Sequence, residues 1–328
     1  MPRELASRLL HQGRDRRLST TLAQNSLLQA CFVGGLLDDL GMRDPFIGTE
    51  AISEGRLTRG QLRWRHTLVQ RGVYLPNDAQ ATLHTSTLAA WLCTGRKGVI
   101  AGRAAAALHG ARWVDASTPI EIIAEHTRRR AGVIVHEERI ASDEITYLCE
   151  LPVTSPVRTA LDIARHLPRD IAVPHLDALA AATGVTFDEV IALAERYRGA
   201  RGVRRARVAL ALMDGGAQSP GETRLRLQLI DDGLPAPRTQ IRVSDGFNEA
   251  FIDMGYDEPK VGLDYEGSHH SENRRQYVHE IGRADLIDGE GWIDIRVVKE
   301  HSRRYNLHRV RDAFAKRGWT PPRSARGS

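Results

Sequence analysis

The stretch EAFIDMGYDEPKVGLDYEGSHH, residues 249–270, decides how the C-terminal third of this 328-residue chain folds. Strand-like residues on both sides of the dipeptide Glu258–Pro259 predict a hairpin whose turn is centred there. A turn symmetric about that dipeptide places Asp253 opposite Asp264. Because side chains alternate along a strand, Glu266 shares the face of Asp264. The sequence therefore predicts three carboxylates that converge on one short hairpin.

Opposed carboxylates destabilise a sheet unless a cation neutralises them. The β-carbons of directly opposed residues lie about 4.5–5.5 Å apart, where like charges repel. Hard oxygen ligands suit Mg²⁺ or Mn²⁺, so we expect Asp253, Asp264 and Glu266 to bind such an ion. His270, on the loop after the second strand, is a candidate to activate the attacking water. The alternative is an exposed acidic hairpin that binds no metal.

The segments around the hairpin add further candidates. SPGETRLRLQLIDDGLPAP (219–237) predicts a helix capped by Ser219, in which Glu222 occupies the third helical position. There a glutamate normally serves as a cap, but the neighbouring hairpin makes it a candidate acid of the same site. RRQYVHEIGRADLIDGEGWIDIRVV (274–298) predicts a helix, a glycine break and a strand. On that helix Glu280 and Arg283 form a surface pair or reach phosphate, and Arg296 is unusual as a mere surface charge in a strand that otherwise looks buried.

The N-terminal half carries a different signal, in residues 45–78. Thr58 and Gln61 form a capping box that opens a second short helix, and GVYLP (72–76) predicts a strand. Helix, turn, helix and strand follow in the order of a small winged-helix unit. No acid lies between Arg56 and Leu75, whereas five arginines do, which suits the phosphates of double-stranded DNA: Arg56, Arg59, Arg63, Arg65 and Arg71. The alternative is a solvated basic face.

These signals predict an α/β (α+β) multidomain chain. We expect a poorly ordered or mis-annotated extension over 1–41, with Met42 as a possible true start, and a winged helix over 42–80. The remaining boundaries that we predict are an α/β middle domain at 81–168, a helical connector at 169–215, an α/β domain at 216–300 and a basic tail at 301–328. From Lys299 onward nine lysines or arginines face two acids, which suits a grip on a nucleic-acid backbone or a solubilising end.

Composition restricts the class of protein. The net charge of +5 and the pI of about 9.3 permit a polyanionic partner without proving one. Cys31, Cys93 and Cys149 lie far apart, which argues against a structural zinc site and favours a reducing cytoplasm. No apolar run reaches the roughly 18 residues of a membrane span, so we expect a cytoplasmic protein without a membrane partner. The oligomeric state stays open.

The motifs together resemble known families. SPGETRLRL, FIDMGYDEPKVGLDYEGSHH, RRQYVHEIGRADLI and GWIDIRVV are similar to the actinobacterial domain related to very-short-patch-repair endonucleases, within the PD-(D/E)XK superfamily. The N-terminal segments FIGTEAISEGRLTRGQLRWRHTLVQRGVYLP and PVTSPVRTALDIA resemble AbiEi-type antitoxins and regulators. The resemblance spans roughly residues 42–300 and implies a winged helix joined to a restriction-endonuclease-like α/β domain.

The resemblance also implies roles for individual residues. Glu222 matches the acid of the first helix, Asp253 the first metal-binding aspartate and Asp264 the acid that opens the second half of the motif. Glu266 stands where the superfamily usually has lysine and this subfamily an acid. His270 matches the histidine that closes the motif. Glu280 and Arg283 match the acid–arginine pair of the family's helix. Arg296 matches the family's arginine that follows the tryptophan.

Two departures put cutting in doubt, because DYEG inverts the usual acid order and Glu280 replaces the commoner aspartate. Ångström-scale shifts of catalytic groups are costly, and the missing lysine removes a cation that stabilises the transition state. We therefore carry two hypotheses. One is magnesium-dependent hydrolysis of DNA, with phosphate contacts from Arg283 and Arg296. The other is a non-catalytic transcriptional regulator or antitoxin with a cognate toxin.

Overall fold

The structure is a computed structural model that describes residues 43–125, 130–267 and 274–322, with the side chains of 274–279 left aside. The extension predicted at 1–41, the candidate His270 and the last residues of the predicted tail lie outside the described residues. The chain divides into two compact units. The first extends to Ile163 and includes Asp188–Tyr197, and the second contains Ala164–Phe187 and the chain from Arg198 onward.

The first unit begins with five short elements: β1 Phe46–Ile47, α1 Gly48–Ser53, α2 Arg59–Arg65, β2 His66–Gln70 and β3 Val73–Pro76. Their strands form an antiparallel sheet in the order β1-β3-β2, so β2 lies at an edge. The capping box predicted at the start of α2 is confirmed, since the side chains of Thr58 and Gln61 each bond the other residue's backbone N–H. Phe46, Ala51 and Leu62 form the small core of this region.

The rest of the first unit is built on a five-stranded sheet in the order β6-β5-β4-β8-β7. The elements from α3 to β8 are α3 Leu83–Cys93, β4 Val99–Ala101, α4 Gly102–Leu108, β5 Ile120–Ile123, β6 Val133–His136, β7 Ile145–Leu148 and β8 Leu151–Thr154. The pairing is mixed, with β4 antiparallel to β5 and parallel to β8. Buried Ile100, Ile122 and Val153 lie at its centre, so the mixed α/β architecture expected for 81–168 is present.

Four helices follow: α5 Pro156–His166, α6 Arg169–Thr183, α7 Phe187–Arg196 and α8 Val203–Leu210. α5 begins at Pro156, directly after Ser155, whose hydroxyl accepts a bond from the amide N–H of Arg158 at 3.3 Å. The segment predicted as one helical connector is divided between the units, because α7 clusters with the first unit whereas α6 and α8 cluster with the second.

Arg158 lies at the centre of a buried ionic network in the first unit. Its side chain is fully buried and pairs with Asp162 at 2.9 Å, Glu144 at 2.6 Å and Glu138 at 3.2 Å. Tyr197 donates to Glu144 at 2.6 Å and also accepts from Arg158 at 2.8 Å. Arg158 and Asp162, four residues apart on α5, therefore pair within a larger network that fixes α5 to distant parts of the chain.

The second unit contains a four-stranded sheet in the order β12-β11-β10-β9. After α9 Pro220–Asp231, its elements are β9 Arg238–Ser244, β10 Glu249–Tyr256, β11 Val261–Glu266, α10 Arg274–Gly289, β12 Ile293–Val298 and α11 Arg303–Lys316. β9, β10 and β11 run antiparallel, and β12 runs parallel to β11. Trp292 and Ile295 are both buried.

The register of the hairpin agrees with the prediction from turn symmetry. Met254 pairs with Leu263 and Tyr256 with Val261, and the same register, carried one step further, brings Asp253 opposite Asp264. A turn from Asp257 to Lys260, closed by an N–H to O bond of 3.1 Å, centres the hairpin on Glu258 and Pro259.

The basic tail predicted at 301–328 differs from the structure. Residues 303–316 form helix α11, whose apolar side of Leu307, Val310 and Phe314 is buried in the core of the second unit. The count of positive charges concealed this apolar spacing of three and four residues, which is typical of an amphipathic helix. Over the described ranges, no helix is both long and apolar enough to cross a membrane.

Candidate functional site

The hairpin acids Asp253 and Asp264 are locked to each other's strand. The amide N–H of Asp253 donates to Oδ1 of Asp264 at 2.9 Å, and the amide N–H of Tyr265 donates to Oδ2 of Asp253 at 2.8 Å. Each carboxylate therefore replaces a backbone acceptor at the point where the regular pairing of β10 and β11 stops after Met254 and Leu263. Asp264 is buried, so the sheet holds both carboxylates in fixed positions.

Glu222 comes to the same place from α9. Its amide N–H donates to the Ser219 hydroxyl at 3.1 Å, as a capped helix requires, while its own Oε2 accepts the amide N–H of Gln218 at 2.7 Å. The side chain is buried. Gly221 lies directly against Tyr265, because a β-carbon on that glycine would come within 2.1 Å of the Tyr265 ring. This close approach brings the first turn of α9 onto the end of β11.

The three acids feel one another's charge. Burial, followed by the charges of Glu222 and Asp264, raises the pKa of Asp253 to about 7. Burial also raises the pKa of Glu222, with Asp264 and Asp177 acting in the same direction. Neither Asp253 nor Glu222 forms an ion pair with a lysine or arginine within the described residues. Within the described residues, the negative charge of these two partly buried carboxylates is therefore not compensated by an ion pair.

Arg283 on α10 supplies one positive charge to this cluster. Its guanidinium donates to Oδ2 of Asp264 and also to the carbonyl oxygen of Phe251, at 2.6 Å for the latter. Burial lowers the pKa of Arg283, but the Asp264 carboxylate outweighs it and the net pKa is raised. Glu280, half-buried on the same helix, adds to this effect. The predicted phosphate-contacting Arg283 is therefore engaged with an acid of the site.

Asp294 on β12 belongs to the cluster, although the sequence did not single it out. Burial, and then the charge of Asp264, raise the pKa of Asp294 to about 6. Its Oδ1 is buried and has no hydrogen-bond partner among the described residues, while Oδ2 lies 3.7 Å from Arg296. The signal available in the sequence was an acid between two isoleucines, but only the parallel pairing of Gly262 with Asp294 brings it beside Asp264.

Glu266, predicted as the third metal ligand, has another partner. It lies about half exposed at the end of β11, and one of its oxygens accepts a bond from Arg296 at 3.1 Å. Arg296, predicted to contact phosphate, is therefore paired with Glu266 and lies near Asp294. The structure brings Glu222, Asp253 and Asp264 together and leaves Glu266 at the exposed end of the same strand.

The donor set fits a hard divalent cation in its chemistry. Carboxylates whose pKa values are raised by mutual repulsion lose that repulsion when a cation binds between them. Within the part of the chain that the structure describes, no three acids of this unit bring ligand oxygens within 4.8 Å of one another. Magnesium needs only one or two carboxylates, since waters and phosphate oxygens complete its shell, and Asp253, Asp264 and Glu222 meet that requirement.

The predicted DNA-binding arginines form a second site on the first unit. All five are exposed around α2 and the hairpin of β2 and β3: Arg56, Arg59, Arg63, Arg65 and Arg71. Trp64, which the sequence analysis passed over, is 76% exposed, and the guanidinium of Arg63 lies 5.6 Å from its ring. Arg56 pairs with Glu54 at 2.6 Å. The region is therefore basic, with one large aromatic side chain at its surface.

Comparisons with known proteins give relatives without an assigned activity. No protein-family model matches the chain. Two uncharacterized proteins of Mycobacterium tuberculosis, MT2308 from strain CDC 1551 / Oshkosh and Rv2248 from strain ATCC 25618 / H37Rv, are each 26% identical over 178 residues. The match covers 54% of this chain and 65% of each relative, just under two thirds of their length. The chain is also similar to the crystal structure of the Rv2827c protein of M. tuberculosis, at 21% identity and a TM-score of 0.37 over 56% of this chain and 76% of that one. A TM-score this low carries no argument.

Proposed function

We propose that this protein binds double-stranded DNA through the arginines around α2 and hydrolyses its phosphodiester bonds at the acid cluster of the second unit with Mg²⁺ or Mn²⁺. One observation carries the proposal: Glu222, Asp253 and Asp264 come from a helix and two strands, yet they meet in one place, where burial and then the charges of Glu222 and Asp264 raise the pKa of Asp253 to about 7. A chain rarely buries opposed acids without a function for them.

Each residue has a role in this proposal. Asp253 and Asp264 would hold the ion and Glu222 would position one of its ligands. The ion would supply positive charge to the phosphate and favour formation of hydroxide from water. Arg283 fixes Asp264 and the β10 backbone through its two hydrogen bonds. His270 orients or deprotonates water, and Arg296 contacts the phosphate of the substrate strand. The resemblance to very-short-patch-repair endonucleases and PD-(D/E)XK nucleases supports these assignments.

A second function is favoured by one specific observation. Arg283 already neutralises Asp264, and Glu266, at the usual lysine position, pairs with Arg296 instead. A nuclease-like domain that has lost its catalytic activity and serves as a scaffold has the same features. In that case the protein is a DNA-binding transcriptional regulator or AbiEi-type antitoxin, whose further partner is a cognate toxin.

Calorimetry and plasmid nicking separate the two functions. Mg²⁺ and Mn²⁺ are titrated into the wild type, into Asp253→Asn and into the control Asp257→Asn. Asp257 pairs with exposed Arg238 in the hairpin turn, so the control removes the same charge nearby. We expect metal uptake and nicking of supercoiled plasmid by the wild type and the control, and loss of both in Asp253→Asn. Plasmid binding without metal uptake or nicking would leave the regulator.

A further inference from the structure

Helix α11 lines a surface cavity of about 870 Å³, which we call the α11 cavity. The side chains that matter are basic or aromatic, with one acid at the edge: Arg303, Arg304, Tyr305, His308, Arg311 and Asp232. Arg304, His308 and Arg311 follow one another at spacings of four and three residues, so they form one stripe along the helix. Another side of α11 is buried in the core. The helix therefore cannot rotate, and the stripe keeps facing the cavity.

The charge of this cavity is positive overall. Its single acid, Asp232, is already paired with Arg311. Arg304 is exposed and forms no ion pair or hydrogen bond within the described residues. Asp231, which lies within the electrostatic reach of Arg303, is held by two hydrogen bonds from Arg169. The cavity therefore presents cationic groups that the protein itself does not neutralise.

Arg303 and Arg304 also occupy positions that helix stability disfavours. They are the first two residues of α11, where the partial positive charge of the helix end repels cations and favours acids. The first turn of α11 contains no acid. Its last turn contains one basic residue, Lys316, where the helix dipole favours a cation. Two arginines placed against the helix dipole argue for a function other than holding the helix together.

Tyr305 adds an aromatic surface beside these charges. Its ring is about half exposed, and it is held by an edge contact with His301 at 5.0 Å and by the Arg309 guanidinium at 5.5 Å. A tyrosine side chain beside arginines suits the phosphate and sugar oxygens of DNA, which tyrosine contacts by hydrogen bonding.

We propose that the α11 cavity binds the phosphate backbone of double-stranded DNA, as a second grip beside the acid cluster. This proposal rests on the proposed function. Asp232 and Glu222 lie at opposite ends of α9, about 15 Å apart along the axis at 1.5 Å per residue. One DNA strand advances about 3.4 Å per nucleotide, so a strand at Glu222 reaches the cavity after about four to five nucleotides.

The test measures the salt dependence of duplex binding. The double variant Arg303→Gln and Arg304→Gln removes two charges from the cavity. The control Arg242→Gln and Lys316→Gln removes two exposed charges of the same unit, each paired with a neighbouring acid and neither lining the cavity. Fluorescence anisotropy with a labelled duplex in EDTA gives the affinity of each full-length protein over a range of KCl concentrations. Thermal unfolding verifies that both variants fold.

We expect the slope of log affinity against log salt to flatten by about 1.8 in the cavity variant, at about 0.9 for each lost phosphate contact. Affinity at moderate salt should fall on the order of tenfold, and the control should keep the wild-type slope. Equal slopes in the two variants would overturn the inference about the α11 cavity. If the wild type nevertheless binds and nicks DNA, the proposed function stands. Uptake of inorganic phosphate by the cavity with unchanged DNA slopes would likewise overturn it. A wild type that neither binds nor nicks DNA would overturn both proposals.

Discussion

Two buried charge clusters in this protein are built on opposite principles. In the first unit the guanidinium of Arg158 is fully buried and contacts three acids within 3.2 Å. In the second unit Glu222, Asp253 and Asp264 converge, but only Asp264 contacts an arginine. In the first cluster the acids therefore surround a cation. In the second cluster two of the three acids have no cationic partner among the described residues.

The pKa values express this difference. Burial lowers the pKa of Arg158, but Asp162 and Glu144 outweigh it and the net pKa is raised, so the arginine stays charged. Burial and the hydrogen bond to Glu144 raise the pKa of Tyr197 to about 12, which keeps it a donor. Burial, followed by the charges of Glu222 and Asp264, instead raises the pKa of Asp253 to about 7, and no lysine or arginine among the described residues forms an ion pair with it. Removal of the cation from the first cluster would leave buried acids unpaired, whereas the second cluster costs stability that a bound cation would restore.

The largest effect that we expect is that of Arg158→Leu. Removing this guanidinium leaves Glu144 and Asp162 buried without their cation, which typically costs about 3–5 kcal/mol. Urea unfolding measures the loss, and hydrogen exchange of residues 145–166 assigns it to the first unit. Arg56→Leu is the control, since Arg56 and its partner Glu54 in the same unit are both more than two fifths exposed, and it should cost less than about 1 kcal/mol. Equal small losses would mean that the network is not structural.

The opposite sign is expected for Asp253→Asn in the metal-free protein. The folded-state pKa of about 7 lies above the unfolded value of 3.8, so the folded form binds more protons and loses stability as pH rises between these values. Asparagine removes this penalty, and we expect a gain on the order of 2 kcal/mol at pH 8, reduced from the full shift because the side chain is partly exposed. The gain should vanish near pH 4.

Urea unfolding in EDTA at both pH values checks this sign, with Asp257→Asn as the control that changes little. A destabilised Asp253→Asn at pH 8 would mean that the carboxylate is satisfied by the protein itself. In that case the two clusters follow the same principle, and the argument for a bound cation loses its basis.

Local patterns in the sequence predicted the parts of the site that depend on neighbours along the chain. The register of Asp253 and Asp264 follows from the symmetry of the turn, and the cap at Ser219 follows from its spacing to Glu222. Asp294 could not be found this way, because its place beside Asp264 depends on the parallel pairing of two strands separated by α10. The partner of Glu266 was missed for the same reason.

The misread C-terminal segment has a different cause. Leu307, Val310 and Phe314 carry a helical apolar spacing, but arginines between them dominate the composition. The burial of Arg158 was equally hidden, since a spacing of four residues to Asp162 predicts the pair but not the distant Glu144 and Tyr197 that enclose it.

A smaller effect is expected at the helix that carries Glu222. Ser219→Ala removes the hydroxyl that accepts the Glu222 amide N–H at 3.1 Å, and loss of such a cap costs about 1 kcal/mol. Metal affinity should fall as well, because the first turn of α9 positions Glu222. Thr58→Ala, which removes the equivalent cap of α2, should cost about the same stability with unchanged metal uptake. Equal metal affinity in both variants would mean that Glu222 does not contribute to metal binding.

The smallest effect is expected for Glu266→Gln. Its side chain is nearly half exposed and pairs only with half-exposed Arg296 in the described part of the chain, so the free energy of unfolding should change by less than about 1 kcal/mol. Metal uptake and nicking should also persist, since Asp253, Asp264 and Glu222 converge without it. Calorimetry and plasmid nicking of Glu266→Gln beside Asp264→Asn decide the point. A loss of metal uptake in both variants would mean that Glu266 leaves Arg296 to bind the ion, and that the site completes itself only when the cation arrives.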